Sequence, residues 1–241
     1  MARIRLYVKT VCITAWCLLL YPYWLFERRR LRRDPTAVRA RRRHLFRIWA
    51  RGIARIIGLE IEHEGPLPEA PAYVVTNHLS YVDVFIYASL LGPVFVARGD
   101  VQHWPVIGKM MQNVQMLFID RDRARDTVRV NEEIAAILDE GDIVLVFAES
   151  RITRGLDVAP FKSALLQPAV AAQQPVHHAT ITYRTRAGAR PPAETIAWWR
   201  PESWPTHASR VLRNRGAVAH VQFGAEPMFD SDRKVLGEQL W

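Results

Sequence analysis

An imidazole and, five residues later, a carboxylate follow a short apolar run in Tyr73-Val74-Val75-Thr76-Asn77-His78-Leu79-Ser80-Tyr81-Val82-Asp83. A neutral His78 can take a proton from a hydroxyl. Asp83 beside it can fix the ring tautomer and stabilise the imidazolium that forms. These are two members of a Ser-His-Asp triad without the serine, so the nucleophile is expected to come from the substrate. The chain has no Gly-x-Ser-x-Gly elbow, which agrees with that expectation.

Two more polar groups follow apolar runs in the same way. Arg121 comes directly after Leu117-Phe118-Ile119-Asp120, where a guanidinium can meet a phosphate with a two-pronged fork. Glu149-Ser150-Arg151 follows Ile143-Val144-Leu145-Val146-Phe147-Ala148 and leads to Gly155, a polar loop able to organise itself around a headgroup. Each stretch also has a plainer reading. Asn77 or Ser80 can simply cap a helix, Asp120 to Arg123 can neutralise one another at the surface, and the segment after Glu149 can be an ordinary turn. His177-His178 has no companion at ligand spacing, so both are read as strand residues, with no metal and no cofactor expected.

The elements that must position these groups alternate. Strands are expected at 72–76, 94–97, 116–119, 143–147, 178–182 and 217–223, and helices at 82–91, 104–113, 127–140, 162–173 and 206–213. That rhythm predicts an α/β fold with a mainly parallel sheet flanked by helices. In such sheets ligands bind beyond the carboxyl ends of the strands, so His78, Arg121 and Glu149 are expected to face one crevice.

The first 60 residues have a different character. Thr10 to Phe26 carries no charge, at the short end of what crosses a bilayer. Arginines flank it on both sides, so charge does not set an orientation. No small-residue cleavage site follows, which argues against a removed signal peptide. A membrane anchor is expected, either a short span or a helix lying in one leaflet. Val38 to Ile57 then reads as a basic amphipathic helix, within a stretch from Arg28 to Arg55 rich in arginine with Asp34 as its one acidic residue. An arginine run after an apolar segment favours anionic lipid over nucleic acid as its partner. The net charge is +9, and the only cysteines, Cys12 and Cys17, form no disulfide framework or zinc pattern. The expected organisation is therefore 1–60, membrane-anchoring and basic helices, and 61–241, a catalytic domain.

Taken together and in order, the motifs resemble those of the glycerolipid acyltransferases typified by 1-acylglycerol-3-phosphate acyltransferase. Asn77, His78 and Asp83 match the family's Asn-His-x4-Asp in full, and Phe118 with Arg121 matches Phe-x-x-Arg. Phe147 and Glu149 fit Phe-Pro-Glu-Gly-Thr, but Ala148, Ser150 and Arg151 stand where the proline, glycine and threonine are usual. Pro160-Phe161-Lys162-Ser163 and Trp198-Trp199 look like the bacterial branch, and the resemblance runs from about residue 70 to 227.

It implies that His78 and Asp83 are catalytic and that Asn77, Phe118, Arg121, Glu149, Ser150 and Arg151 form the acceptor site. It also implies transfer of an acyl group from acyl-CoA or acyl carrier protein to a lyso-lipid hydroxyl, at the cytoplasmic face of a bacterial inner membrane. The departures after Glu149 leave a lyso-ornithine lipid open as acceptor. A non-catalytic lipid-binding protein on the same fold is the alternative from another class. An acidic acyl carrier protein would also suit the arginine-rich face.

Overall fold

A computed structural model of the chain describes residues 1–120, 123–149, 151–186 and 188–241. Its elements are α1 (Ala2–Arg30), α2 (Pro35–Ile57), β1 (Leu59–Glu64), β2 (Ala72–Thr76), α3 (Val82–Leu90), β3 (Val94–Arg98), α4 (Ile107–Asn113), β4 (Leu117–Ile119), α5 (Ala124–Asp139), β5 (Ile143–Phe147), α6 (Gln167–Ala171), β6 (Val176–Thr185), α7 (Pro192–Thr195), α8 (Trp204–Arg213), β7 (Ala217–Phe223) and α9 (Arg233–Leu240). The strands form one seven-stranded sheet in the order β1-β7-β6-β2-β5-β3-β4. Only the β6–β7 pair is antiparallel. The sheet is thus mainly parallel, as the alternating sequence pattern requires.

Every residue of β2 (Ala-Tyr-Val-Val-Thr) and β5 (Ile-Val-Leu-Val-Phe) is buried. Both strands lie at the centre of a sheet covered on two faces, which is why they read as unbroken apolar runs. One face packs Phe46, Ala50, Ala54 and Ile57 of α2 with Val82 and Ile86 of α3. The other packs Val130, Ile134 and Leu138 of α5 with Leu236 and Leu240 of α9. Because the strands are parallel through the centre, β2, β5, β3 and β4 all end at the same edge, where His78 after β2 and Glu149 after β5 meet.

Sequence patterning missed β1, the short α7 and α9. Leu59-Glu60-Ile61-Glu62-His63-Glu64 alternates as a strand does, but its glutamates mask the apolar pattern. They are the charges that keep an edge strand from pairing with another chain. The segment expected as a helix over 104–113 begins only at Ile107, after a 3-10 turn at Gly99–His103. The one expected over 162–173 divides into a 3-10 turn at Ser163–Leu166 and α6, with Pro168 in the first turn of α6.

The N-terminal helices pack onto the sheet domain. Asp34 caps α2 by accepting from the Ala37 amide at 3.0 Å, and Gly58 ends it at φ 84°, where a side chain would be strained. Several arginines of the basic run are engaged inside the protein. Fully buried Asp142, just before β5, receives Arg42 at 2.7 Å and Arg43 at 2.9 Å. Arg41 and Arg30 both pair with buried Glu27 of α1. Buried charges cost desolvation and persist only when paired, so these contacts fix where α2 lies rather than add much stability.

The α1 helix docks along its whole length. Lys9 Nζ donates to the carbonyls of Ile57 (2.7 Å) and Asn214 (2.9 Å), and Trp24 Nε1 donates to Asn113 O (3.0 Å). Its opposite side exposes Tyr7, Val8, Val11, Leu18, Leu19 and Phe26.

Candidate active site

The dyad forms where β2 turns into α3. Asn77, the first residue past the strand, is buried and bridges to β6. Its amide donates to Ile181 O (3.0 Å) and its carbonyl accepts from Ile181 N (2.7 Å), continuing the ladder with a side chain. The sequence placed Asn77 among substrate contacts, whereas the structure spends both of its polar ends on β6. That anchor fixes the backbone from which His78 emerges.

Asp83 sits in the first turn of α3 and is fully buried. Its Oδ2 accepts from His78 Nδ1 (2.9 Å), Leu79 N (2.7 Å) and Ser80 N (2.9 Å), and its Oδ1 accepts from the Tyr183 hydroxyl (2.6 Å). Four donors and a helix N-terminus offset the cost of burying the charge. Burial, together with the Asp83 charge beside it, pushes the Tyr183 phenol well above its ordinary value, so it keeps the proton it donates.

A carboxylate that already accepts from three other groups leaves His78 Nδ1 as the fourth donor. The imidazole therefore carries its proton on Nδ1 and presents the lone pair of Nε2 outward. The ring lies against Phe147 with centroids 3.9 Å apart, and its side chain is 19% exposed, so one edge is open to a substrate.

Glu149 holds the other side. Its carboxylate takes the His78 amide at 2.6 Å on one oxygen and the Ala159 amide at 2.8 Å on the other. Burial raises its pKa, opposed by those two amides. Glu149 thus ties the His78 turn to its own loop, which returns to donate from Thr153 N to His78 O (3.2 Å). Arg151 is exposed on that loop. Phe118 is the middle residue of β4, packed in the same cluster as Phe147 and Leu79. Arg121 and Ser150, both expected in the site, lie outside the described residues. His177 and His178 are β6 residues, and among the described residues no group of three metal-ligating side chains gathers.

Tyr183 carries no local sequence signal of a place in the site. It stands 100 residues from Asp83, and only the placement of β6 beside β2 brings it near. An aromatic wall also went unread. Tyr81 meets Trp198, Trp204 and His207 edge-on or tilted, and Trp198 N donates to Leu79 O at 2.9 Å. His207 is fully buried, with Nε2 3.3 Å from Ala197 O and Nδ1 3.3 Å from the Tyr81 hydroxyl, as a neutral ring requires.

The chain matches the family described as Acyltransferase over residues 58–182. It is 34% identical over 224 residues to a 1-acyl-sn-glycerol-3-phosphate acyltransferase of Neisseria gonorrhoeae, covering 90% of this chain and 86% of that one. It is 32% identical over 213 residues to a lyso-ornithine lipid O-acyltransferase of Brucella abortus, covering 83% and 79%. The crystal structure of the 1-acyl-sn-glycerophosphate acyltransferase of Thermotoga maritima superposes with a TM-score of 0.69 at 18% identity, over 100% of this chain and 95% of that one, a likeness of fold.

The aromatic wall has a measurable pH signature. Burial, then the Arg210 charge, pushes His207 down to about 4, partly offset by Glu202. Below an ordinary histidine value of about 6.5, the unfolded chain binds a proton that the folded chain refuses until about pH 4. Stability should therefore fall as pH falls through that window, by up to about 1.4 kcal/mol per unit from this residue. Unfolding curves of His207→Gln in detergent should show a shallower acid-side decline than those of the unsubstituted protein. Parallel declines would contradict the assignment.

Proposed function

Because the chain belongs to the Acyltransferase family, we propose that it moves an acyl group from a thioester donor to a hydroxyl of a lysolipid, with His78 as general base. One observation carries this reading: His78 Nδ1 is held at 2.9 Å by fully buried Asp83, which leaves Nε2 free at an open edge. The substrate O–H gives its proton to Nε2 as its oxygen attacks the thioester carbonyl carbon. The carbonyl becomes an oxyanion, and the imidazolium is stabilised by Asp83. Collapse of the tetrahedral species breaks the C–S bond, and the imidazolium proton goes to the departing thiolate. Histidine and carboxylate are regenerated without an acyl-enzyme. General-base help of this kind is worth about 10²–10⁴ in rate.

The acceptor is a lysolipid of the kind named for the relatives, 1-acylglycerol-3-phosphate or lyso-ornithine lipid. The donor is acyl-CoA or acyl carrier protein. The site acts at the cytoplasmic face of a membrane, with α1 lying in one leaflet. By length and composition α1 is apolar enough to cross a bilayer. Its contacts with Ile57, Asn214 and Asn113 favour the in-plane arrangement, since a spanning helix would forfeit them. A helix that is apolar on both its docked and its exposed sides needs lipid on the exposed one.

Membranes containing the protein should transfer labelled acyl groups from acyl-CoA or acyl carrier protein to one of these lysolipids, and His78→Ala and Asp83→Asn should each lower the rate about 10³-fold or more. Full activity in either variant would contradict the dyad, and no transfer to any acceptor would favour a binding protein. For the membrane arrangement, single cysteines replacing Arg3 and Arg32, in a background with Cys12 and Cys17 changed to Ser, should both resist an impermeant maleimide added to intact spheroplasts. Labelling of one end only would show a span.

A further inference from the structure

Strand β6 runs past the end of the strand it pairs with. Its ladder with β2 stops at the Thr76–Ala179 pair, and residues 180–185 continue beside the turn that carries His78. Buried and exposed residues alternate along this extension, so Ile181 and Tyr183 point inward while Thr182 faces solvent. The two inward positions meet the two ends of the Asn77–Asp83 segment. The Ile181 backbone takes both polar ends of the Asn77 side chain, at 2.7 and 3.0 Å, and the Tyr183 hydroxyl reaches Asp83 at 2.6 Å.

The two oxygens of Asp83 are unequally supplied. Oδ2 holds the imidazole and the amides of Leu79 and Ser80, all from its own turn. Among the described residues, Oδ1 has the Tyr183 hydroxyl alone. Without that hydroxyl Oδ1 would be a buried, charged oxygen lacking a donor. The carboxylate would then bind a proton at higher pH, or rotate to share the donors of its turn, and either change weakens its hold on His78 Nδ1.

Neighbouring groups are committed elsewhere. Tyr87 of α3 acts on Asp83 through space, but its hydroxyl is bonded to Thr76 Oγ1. On the loop after β5, Glu149 is engaged by the His78 and Ala159 amides, and Arg151 acts on Glu149. Tyr183 itself stays a donor, since burial and the Asp83 charge keep its phenol protonated.

We propose that Tyr183 is a positioning residue for the transfer reaction, whose hydroxyl holds Oδ1 of Asp83 and so keeps the carboxylate ionised and turned toward His78 Nδ1. Tyr183 acts through Asp83 and touches no substrate. This inference rests on the acyl-transfer reading above.

Tyr183→Phe tests it, removing one oxygen while keeping the ring that fills the core. Kinetics are read on the full-length enzyme in membranes, with acyl-CoA and either 1-acylglycerol-3-phosphate or lyso-ornithine lipid varied separately. The kcat should fall about tenfold or more, with KM for both substrates changed by less than about threefold. A carboxylate that loses a donor is protonated at higher pH, so the acidic limb of the rate profile should move up by about half a unit or more. Tyr87→Phe deletes a buried hydroxyl bonded to Thr76 instead, and should leave kcat within about threefold and the limb in place. In an Asp83→Asn background Tyr183→Phe should cost little further, because the group it acts through is already neutral. An unmoved limb in Tyr183→Phe, or equal losses in the two phenylalanine variants, overturns the proposal while leaving acyl transfer intact. If the unsubstituted enzyme acylates neither lysolipid, the acyl-transfer reading fails. A nitrogen-15 titration of His78 in detergent then still decides the role of the hydroxyl: its midpoint shifts in Tyr183→Phe if Tyr183 acts through Asp83, and an unshifted midpoint overturns the proposal.

Discussion

The site depends on a single buried carboxylate. Asp83 lies beneath the turn between β2 and α3 and accepts from an imidazole, two backbone amides and a tyrosine hydroxyl. Each donor comes from a part of the fold that something else must hold. The amides of Leu79 and Ser80 belong to the turn, the imidazole extends from it, and Tyr183 comes from the neighbouring strand. An unpaired carboxylate at that depth would be costly, so the fold is stable only in the arrangement that also aims His78. Structural need and the aim of the imidazole are met by the same contacts.

The surrounding clamps extend this logic. Asn77 sews the end of β2 to β6, Glu149 ties the His78 amide to Ala159, and Phe147 from β5 supports the imidazole face. Backbone and side chain of one histidine are thus fixed from three neighbouring segments, leaving one ring edge open. Such constraint matters because general-base catalysis loses its advantage when the base drifts from the proton it must take. The same turn is clasped from outside by Thr153 and Trp198, so the two loops beside it are held in register with His78.

Much of this was legible in the chain. Buried central strands such as Ala72–Thr76 and Ile143–Phe147 announce themselves as apolar runs, because both faces of a parallel sheet are covered. Parallel strands also oblige the polar residues after them to meet at one edge, so His78 and Glu149 could be placed together from sequence. What could not be read were partners set by tertiary pairing. Tyr183 carries no local mark of its bond to Asp83, and the role of Glu149 as a brace between two amides is visible only once the loop is folded. The glutamates of β1 hid a strand because an edge is protected by the charges that mask its pattern. The arginine run read as one basic surface, yet Arg41, Arg42 and Arg43 turn inward to Glu27 and Asp142.

The measurement that reaches the central claim most directly is the protonation of the two His78 ring nitrogens. Nitrogen-15 NMR of histidine-labelled protein in detergent, with His78 assigned by substitution, reads the tautomer at a pH where the ring is neutral. The account requires a proton on Nδ1 and a free lone pair on Nε2, with that preference lost in Asp83→Asn. A neutral His78 protonated on Nε2, or a tautomer indifferent to Asp83, would contradict it.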